Sequence, residues 1–343
     1  MKKFIRRTLY FFIPIIFIHL FTFAFYNHEK GDLLRLGYVF DLYPNYRDTF
    51  KNDFNNPIKF TSISEQPANK SFKILTIGDS YSDQMGWGYK NLLANDFSVL
   101  HIDRFISRNQ VETLSSLING DFFDTYHFEY VILQNAERHY IDNIDSLNSQ
   151  KTLTVAELSA FINAHKPKKE DLSYTFPSSR AVKFPYYSAK YFLFDDCVLD
   201  GQVGKARLVT DELFSNRSSD LLFYEYDRFT VANNNDSSKV SRLNDILNSL
   251  SDQLKKKNVK LIILPSPDKY DLYYDFIQNK SQYIKPNFFS ILNTMDKRYQ
   301  YIDSPELLKK AIREKRDVYF YDDTHWSPVG ARIIADEIKR YIN

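Results

Sequence analysis

The chain is short of the residues that several kinds of function require. It has one cysteine, Cys197, among 343 residues, so no disulfide can form within it. Cys197 sits in Phe194-Asp195-Asp196-Cys197 with no histidine nearby, which reads as a structural thiol rather than a nucleophile. Nine glycines in the whole chain leave no glycine-rich loop to cradle a phosphate. The seven histidines are scattered, and no His, Cys or Asp group has metal-ligand spacing, so neither a metal nor a cofactor is expected. An excess of one charge is missing too. Forty-five basic residues stand against 43 acidic ones, for a net charge of +2, without the concentrated basic face of a nucleic-acid binder.

Aromatic residues are plentiful, with 25 Tyr and 29 Phe. Most read as core and sheet residues; exposed rings would suit a carbohydrate cleft. The N-terminus carries Lys2, Lys3, Arg6 and Arg7 ahead of Thr8–Tyr26, an apolar stretch interrupted by Thr8, His19 and Thr22. A helix of about 20 apolar residues crosses a bilayer. Positive charge ahead of it keeps residues 1–7 in the cytoplasm, makes 8–26 a single-pass anchor in the cytoplasmic (inner) membrane, and turns the rest to the periplasm or exterior. A cleaved signal peptide is the rival reading, but Thr22-Phe23-Ala24-Phe25-Tyr26 lacks a small-x-small cleavage pattern.

Residues 27–70 read as a polar linker that packs in part on the domain. From residue 71 strands and helices alternate. Phe72–Ile77, Phe97–Ile102, Tyr130–Leu133, Val259–Leu264, Tyr299–Ile302 and Val318–Tyr321 are predicted strands. Helices are expected through Val111–Ile118 and Leu243–Leu254, and from Ser304-Pro305 and Ser327-Pro328. The rhythm breaks over about 141–238, read as an inserted subdomain or lid with a hairpin from Ala206–Val209 and Leu221–Tyr226. Alternation of this kind makes an α/β domain with a parallel sheet over 71–343.

In such sheets ligands bind beyond the carboxyl ends of the strands. Gly78-Asp79-Ser80, Asn135, Asp268-Lys269 and Asp322-Asp323-Thr324-His325-Trp326 each follow a predicted strand. A serine hydroxyl is a poor nucleophile until a base takes its proton, and a histidine oriented by a carboxylate is such a base. Ser80, His325 and Asp323, with Asp322 as the alternative acid, therefore form a candidate triad.

These segments resemble the SGNH hydrolase superfamily. Asp323-Thr324-His325-Trp326 followed by Ser327-Pro328-Val329-Gly330 is similar to its alginate O-acetyltransferase-like branch. Val131–Arg138 and Pro265–Lys269 are similar to further segments of that branch. The resemblance implies a flavodoxin-like three-layer fold and an O-acetyltransferase of an extracytoplasmic polysaccharide, working through a serine acyl-enzyme. It further implies Asn135, Tyr81, Lys269 and Trp326 as oxyanion or substrate-binding residues. A membrane-bound O-acyltransferase would supply the acetyl group. A carbohydrate acetylesterase with the same triad, or an inert polysaccharide-binding or assembly factor, are the alternatives. Where the superfamily has Gly-x-Asn-Asp, this chain has Leu133-Gln134-Asn135-Ala136.

Overall fold

The computed structural model describes residues 2–27, 31–34, 38–39, 46–165, 179–194 and 202–342. Cys197 lies outside them. Six strands form the main sheet: β1 (Thr61–Ser62), β2 (Ile74–Ile77), β3 (Val99–Ile102), β4 (Tyr130–Ala136), β7 (Lys260–Ser266) and β8 (Gln300–Tyr301). A separate antiparallel hairpin consists of β5 (Val203–Arg207) and β6 (Asp220–Tyr224). The sheet runs β8-β7-β4-β2-β3-β1, and every pairing in it is parallel. Residues 71–343 thus carry the parallel α/β core expected, with β1 added at the edge from the segment read as linker.

Strands β2, β3 and β4 are buried at every position, so both faces of the sheet need a cover. On one face lie α2 (Gln110–Asn119) and α7 (Ser237–Lys256), whose Val111, Leu114, Leu243 and Leu247 meet Leu75, Val131 and Ile263. The other face takes α8 (Ser304–Glu314) and α9 (Pro328–Ile342), with Leu308, Ile334 and Ile338 against Ile74, Ile132 and Ile262. The result is three layers. Both long helices obey their end chemistry. Asp236 accepts from the Ser238 and Lys239 amides at 2.9 and 3.2 Å to cap α7. Asp303, one residue before the predicted Ser304, caps α8.

Within the interrupted block lie α3 (Glu137–Asp145), α4 (Val155–His165), α5 (Ser179–Phe194) and α6 (Glu225–Asn234). The hairpin falls close to its predicted place, and its Val203, Ala206, Leu221 and Phe223 join the same core as α8 and α9. At the N-terminus, α1 (Lys2–Phe25) contains Lys2–Thr22, long and apolar enough to cross a bilayer, with mean hydropathy 1.6.

One expected strand is not there. Val318–Tyr321 makes only a single antiparallel bridge, Tyr319 to Trp326, and closes a tight loop with Phe320 N donating to His325 O at 3.2 Å. All four side chains are buried. Burial of the loop onto the core, not sheet membership, explains the apolar run.

The strand order reverses between β2 and β4, since the chain leaves β2 for β3 on one side and returns to β4 on the other. Crevices at such reversals are where ligands bind in open parallel sheets. Gly78-Asp79-Ser80 follows β2 there.

Gly330 fixes how α9 meets the loop. A Cβ at that position would come within 2.7 Å of both Trp326 Cβ and Val318 O. Gly330→Ala should therefore overpack the junction and lower stability by about 1–3 kcal/mol, read as a reduced melting temperature.

Candidate active site

The serine turn is held by its neighbours. Gly78 lies against Ser82 Oγ and Gln134 Oε1, so closely that any Cβ would collide with both. The Asp79 carboxylate accepts from Tyr81 N at 3.0 Å, Gln134 Nε2 at 2.9 Å and Ala136 N at 2.6 Å. Gln134 Oε1 in return accepts from Asp79 N at 3.0 Å and Ser82 Oγ at 2.7 Å. This mesh ties the turn after β2 to the end of β4. Ser80 is left half-buried, its hydroxyl and N–H making no hydrogen bond among the described residues.

In the second segment, His325 Nδ1 lies 2.6 Å from Asp323 Oδ1, and the His325 amide donates to the same oxygen at 3.0 Å. A carboxylate at Nδ1 fixes the proton there and leaves Nε2 with its lone pair. Nε2 is buried and has no hydrogen-bond partner among the described residues. Burial disfavours the charged imidazole, but the Asp323 carboxylate outweighs it and holds the His325 pKa above its ordinary value. Burial also works against the Asp323 charge. His325 and Arg47 override it and hold that carboxyl well below the usual range.

Asp322 faces elsewhere. It pairs with Arg47, Nη2 to Oδ1 at 2.7 Å and Nε to Oδ1 at 3.1 Å. The same guanidinium reaches Asp323 Oδ2 at 3.2 Å and stacks 3.9 Å from the Phe320 ring centre. Of the two candidate acids, only Asp323 touches the imidazole.

Further groups pin this loop. Asp32 accepts from Thr324 N at 2.7 Å and Thr324 Oγ1 at 2.6 Å, and Leu33 N donates to Asp322 O at 3.1 Å. Lys269 Nζ donates to the carbonyls of Phe320, Tyr321 and Asp323 at 2.7, 2.6 and 3.2 Å. Burial lowers the Lys269 pKa to about 7. Tyr81, next to Ser80, donates its hydroxyl to Thr324 O at 2.8 Å, and its ring centre lies 4.7 Å from that of His325. Trp326 gives its indole N–H to Gln84 Oε1 at 2.6 Å.

Three of the residues to which the resemblance gave oxyanion or substrate-binding roles, Tyr81, Lys269 and Trp326, are fully buried with their polar atoms paired, and those bonds brace the loop. Asn135 is buried on the face of β4 that carries Val131 and Leu133; among the described residues neither carboxamide atom has a partner, and no hydrogen bond joins it to either motif segment. Its neighbour Gln134 bonds the serine turn instead. Trp87 is half-buried against Phe54 and Phe320.

Asp32, Arg47 and Gln134 went unnoticed in the sequence. Gln134 stands at the variable position of the superfamily's Gly-x-Asn-Asp and carried no signal; Asp32 and Arg47 stand in a polar stretch without pattern. Arg138 is another such residue, buried between Asp268 at 2.8 Å and Asp227 at 3.0 Å. Asp32, Asp323 and His325 also bring ligand-type atoms within 4.8 Å of one another. The hydrogen bonds from Thr324 to Asp32 and between His325 and Asp323 account for that grouping.

Comparison with known proteins gives a family match. Residues 219–343 fit the family described as the SGNH hydrolase-like domain of acetyltransferase AlgX. The similarity read from the sequence is thus matched over a stretch that includes β6, β7 and the His325 loop; Ser80 lies outside the matched residues. No curated protein and no solved structure matches the chain.

A titration of the His325 imidazole followed by NMR should give a pKa above the ordinary value of about 6.5. In Asp323→Asn burial acts unopposed by that carboxylate, so the value should fall; in Asp322→Asn it should move much less.

Proposed function

We propose that the chain is a membrane-anchored, extracytoplasmic SGNH-type O-acetyltransferase that modifies a cell-surface or exported polysaccharide. The observation that carries this reading is the contact of His325 Nδ1 with Asp323, which leaves a buried Nε2 with no partner among the described residues. The match of residues 219–343 to an acetyltransferase domain supports the chemistry.

In this mechanism Nε2 of His325 takes the proton of Ser80 Oγ as that oxygen attacks the carbonyl carbon of an acetyl donor. Asp323 keeps the imidazole in the required tautomer and stabilises its cation. The carbonyl oxygen becomes an oxyanion beside the Ser80 N–H, a donor with no other bond to break. The tetrahedral species collapses, His325 returns the proton to the departing donor oxygen, and acetyl-serine remains. A sugar hydroxyl then loses its proton to His325 and attacks the acetyl-serine. The serine leaves with the proton restored, and the acetyl ester ends on the sugar.

The basic residues in the first turns of α1, Lys2, Lys3, Arg6 and Arg7, orient it with the N-terminus in the cytoplasm, so the domain works on the far side of the inner membrane. The acetyl group then has to cross that membrane, and a membrane-bound O-acyltransferase is the partner that would deliver it. If water replaces the sugar, the same steps describe an acetylesterase.

Ser80→Ala should lower hydrolysis of p-nitrophenyl acetate by on the order of 10⁴-fold or more while the melting temperature is kept. Activity needs neutral His325, whose pKa is raised, so the rate should fall with decreasing pH through a midpoint above about 6.5. An oligosaccharide acceptor should divert acetyl from released acetate to sugar. Acetate alone would favour the esterase, and an unreactive Ser80 would leave a binding factor.

A further inference from the structure

Outside α1, most exposed large apolar side chains, such as Ile58, Val209 and Ile284, occur singly along the sequence. Scattered residues of this kind are ordinary. The end of α5 is different. Phe192, Leu193 and Phe194 are consecutive and 70, 74 and 75 % exposed. Nothing among the described residues covers them. Just before them come Tyr186, exposed, and Tyr187, Lys190 and Tyr191, half-buried, with the Lys190 ammonium 5.5 Å from the Tyr186 ring centre.

Two further observations say what the patch faces. First, α5 is in contact with α1. Along α1, Phe4, Phe11 and Phe17 are bare at 72, 71 and 67 % exposure, whereas Thr22, near its far end, is buried. Second, the order of residues suits the boundary of a bilayer. Tyrosine and lysine belong at the headgroup level, where an apolar body and a polar tip are both satisfied, and phenylalanine and leucine go deeper. A surface helix of this composition binds by burying its apolar residues at the acyl boundary.

We propose that α5 is a membrane-docking helix, with Phe192-Leu193-Phe194 inserted into the lipid beside α1. The proposal rests on the reading of α1 as a membrane span. It has a consequence for the site. The Tyr191 hydroxyl lies 3.4 Å from the Tyr321 hydroxyl, and Tyr321 directly precedes Asp322 and Asp323. Docking of α5 therefore holds the His325 loop against the bilayer surface, where a donor emerging from the membrane would meet it, and removes the freedom that an anchor alone would leave.

The test uses the full chain in lipid nanodiscs without other proteins, in a Cys197→Ser background. Single cysteines at Phe17→Cys, Leu193→Cys and Ile284→Cys carry a bimane label, and some of the lipids carry a doxyl quencher on the acyl chain. The expected result is strong quenching at 17 and 193 and little at 284, with Phe194→Cys behaving like Leu193→Cys. Quenching at 17 with 193 no more quenched than 284 would overturn the docking while leaving the span intact. An unquenched label at 17 would overturn the span and the docking together. Shielding at 193 that required native membranes with their proteins, and was missing with lipid alone, would assign the patch to a protein and overturn the proposal.

Discussion

The structure around the site depends on one contact, the carboxylate of Asp323 against Nδ1 of His325 in a place that water barely reaches. Burial alone would expel the proton from a charged imidazole and put one onto a carboxylate. Each group therefore needs the other, and Asp323 needs Arg47 as well. Arg47 stands between two acids, and Asp322 completes the balance by taking its other contact. Taking one member from such a buried set leaves an uncompensated charge, which costs about 3–5 kcal/mol in comparable cases. The charged residues beside the histidine are thus conditions for its orientation.

Rigidity of the loop has a second source, separate from the carboxylate pairing. Residues 318–327 fold back on themselves without joining the sheet, so their carbonyls need donors. Lys269 gives three hydrogen bonds and Tyr81 a fourth. Tyr81 is also the residue after Ser80, so one side chain spans from the serine turn to the histidine loop. The mesh of Asp79 and Gln134 meanwhile locks that turn to β4. The relative placement of serine and histidine is consequently set by core side chains. Preorganisation of this kind spares a reaction the cost of gathering its groups.

Much of this was readable from the chain. The strands at 74–77, 130–136 and 260–266 and the helices at 110–119, 237–256 and 328–342 follow from apolar runs and helical spacing. The pairing of Gly78-Asp79-Ser80 with Asp323-Thr324-His325-Trp326 pointed to a shared site. Three things were not readable. Val318–Tyr321 looks like a strand because a buried loop and a buried strand demand the same apolar residues. Tyr81, Lys269 and Trp326 resemble substrate-facing groups because polar and aromatic types do not reveal burial. Asp32 and Arg47 act from more than 270 positions away from Thr324 and Asp322 in the chain, with no periodicity to mark them.

The central claim is that Asp323 and His325 make Ser80 a nucleophile that carries an acyl group. The most direct measurement is mass spectrometry of the peptide containing Ser80, after the full chain is mixed with an activated acetyl ester and quenched with acid. The expected result is one acetyl group on Ser80 in the wild type, lost when a sugar acceptor is added, and none in His325→Ala. Turnover of the ester without acetyl on Ser80, or equal acetylation in His325→Ala, would contradict it.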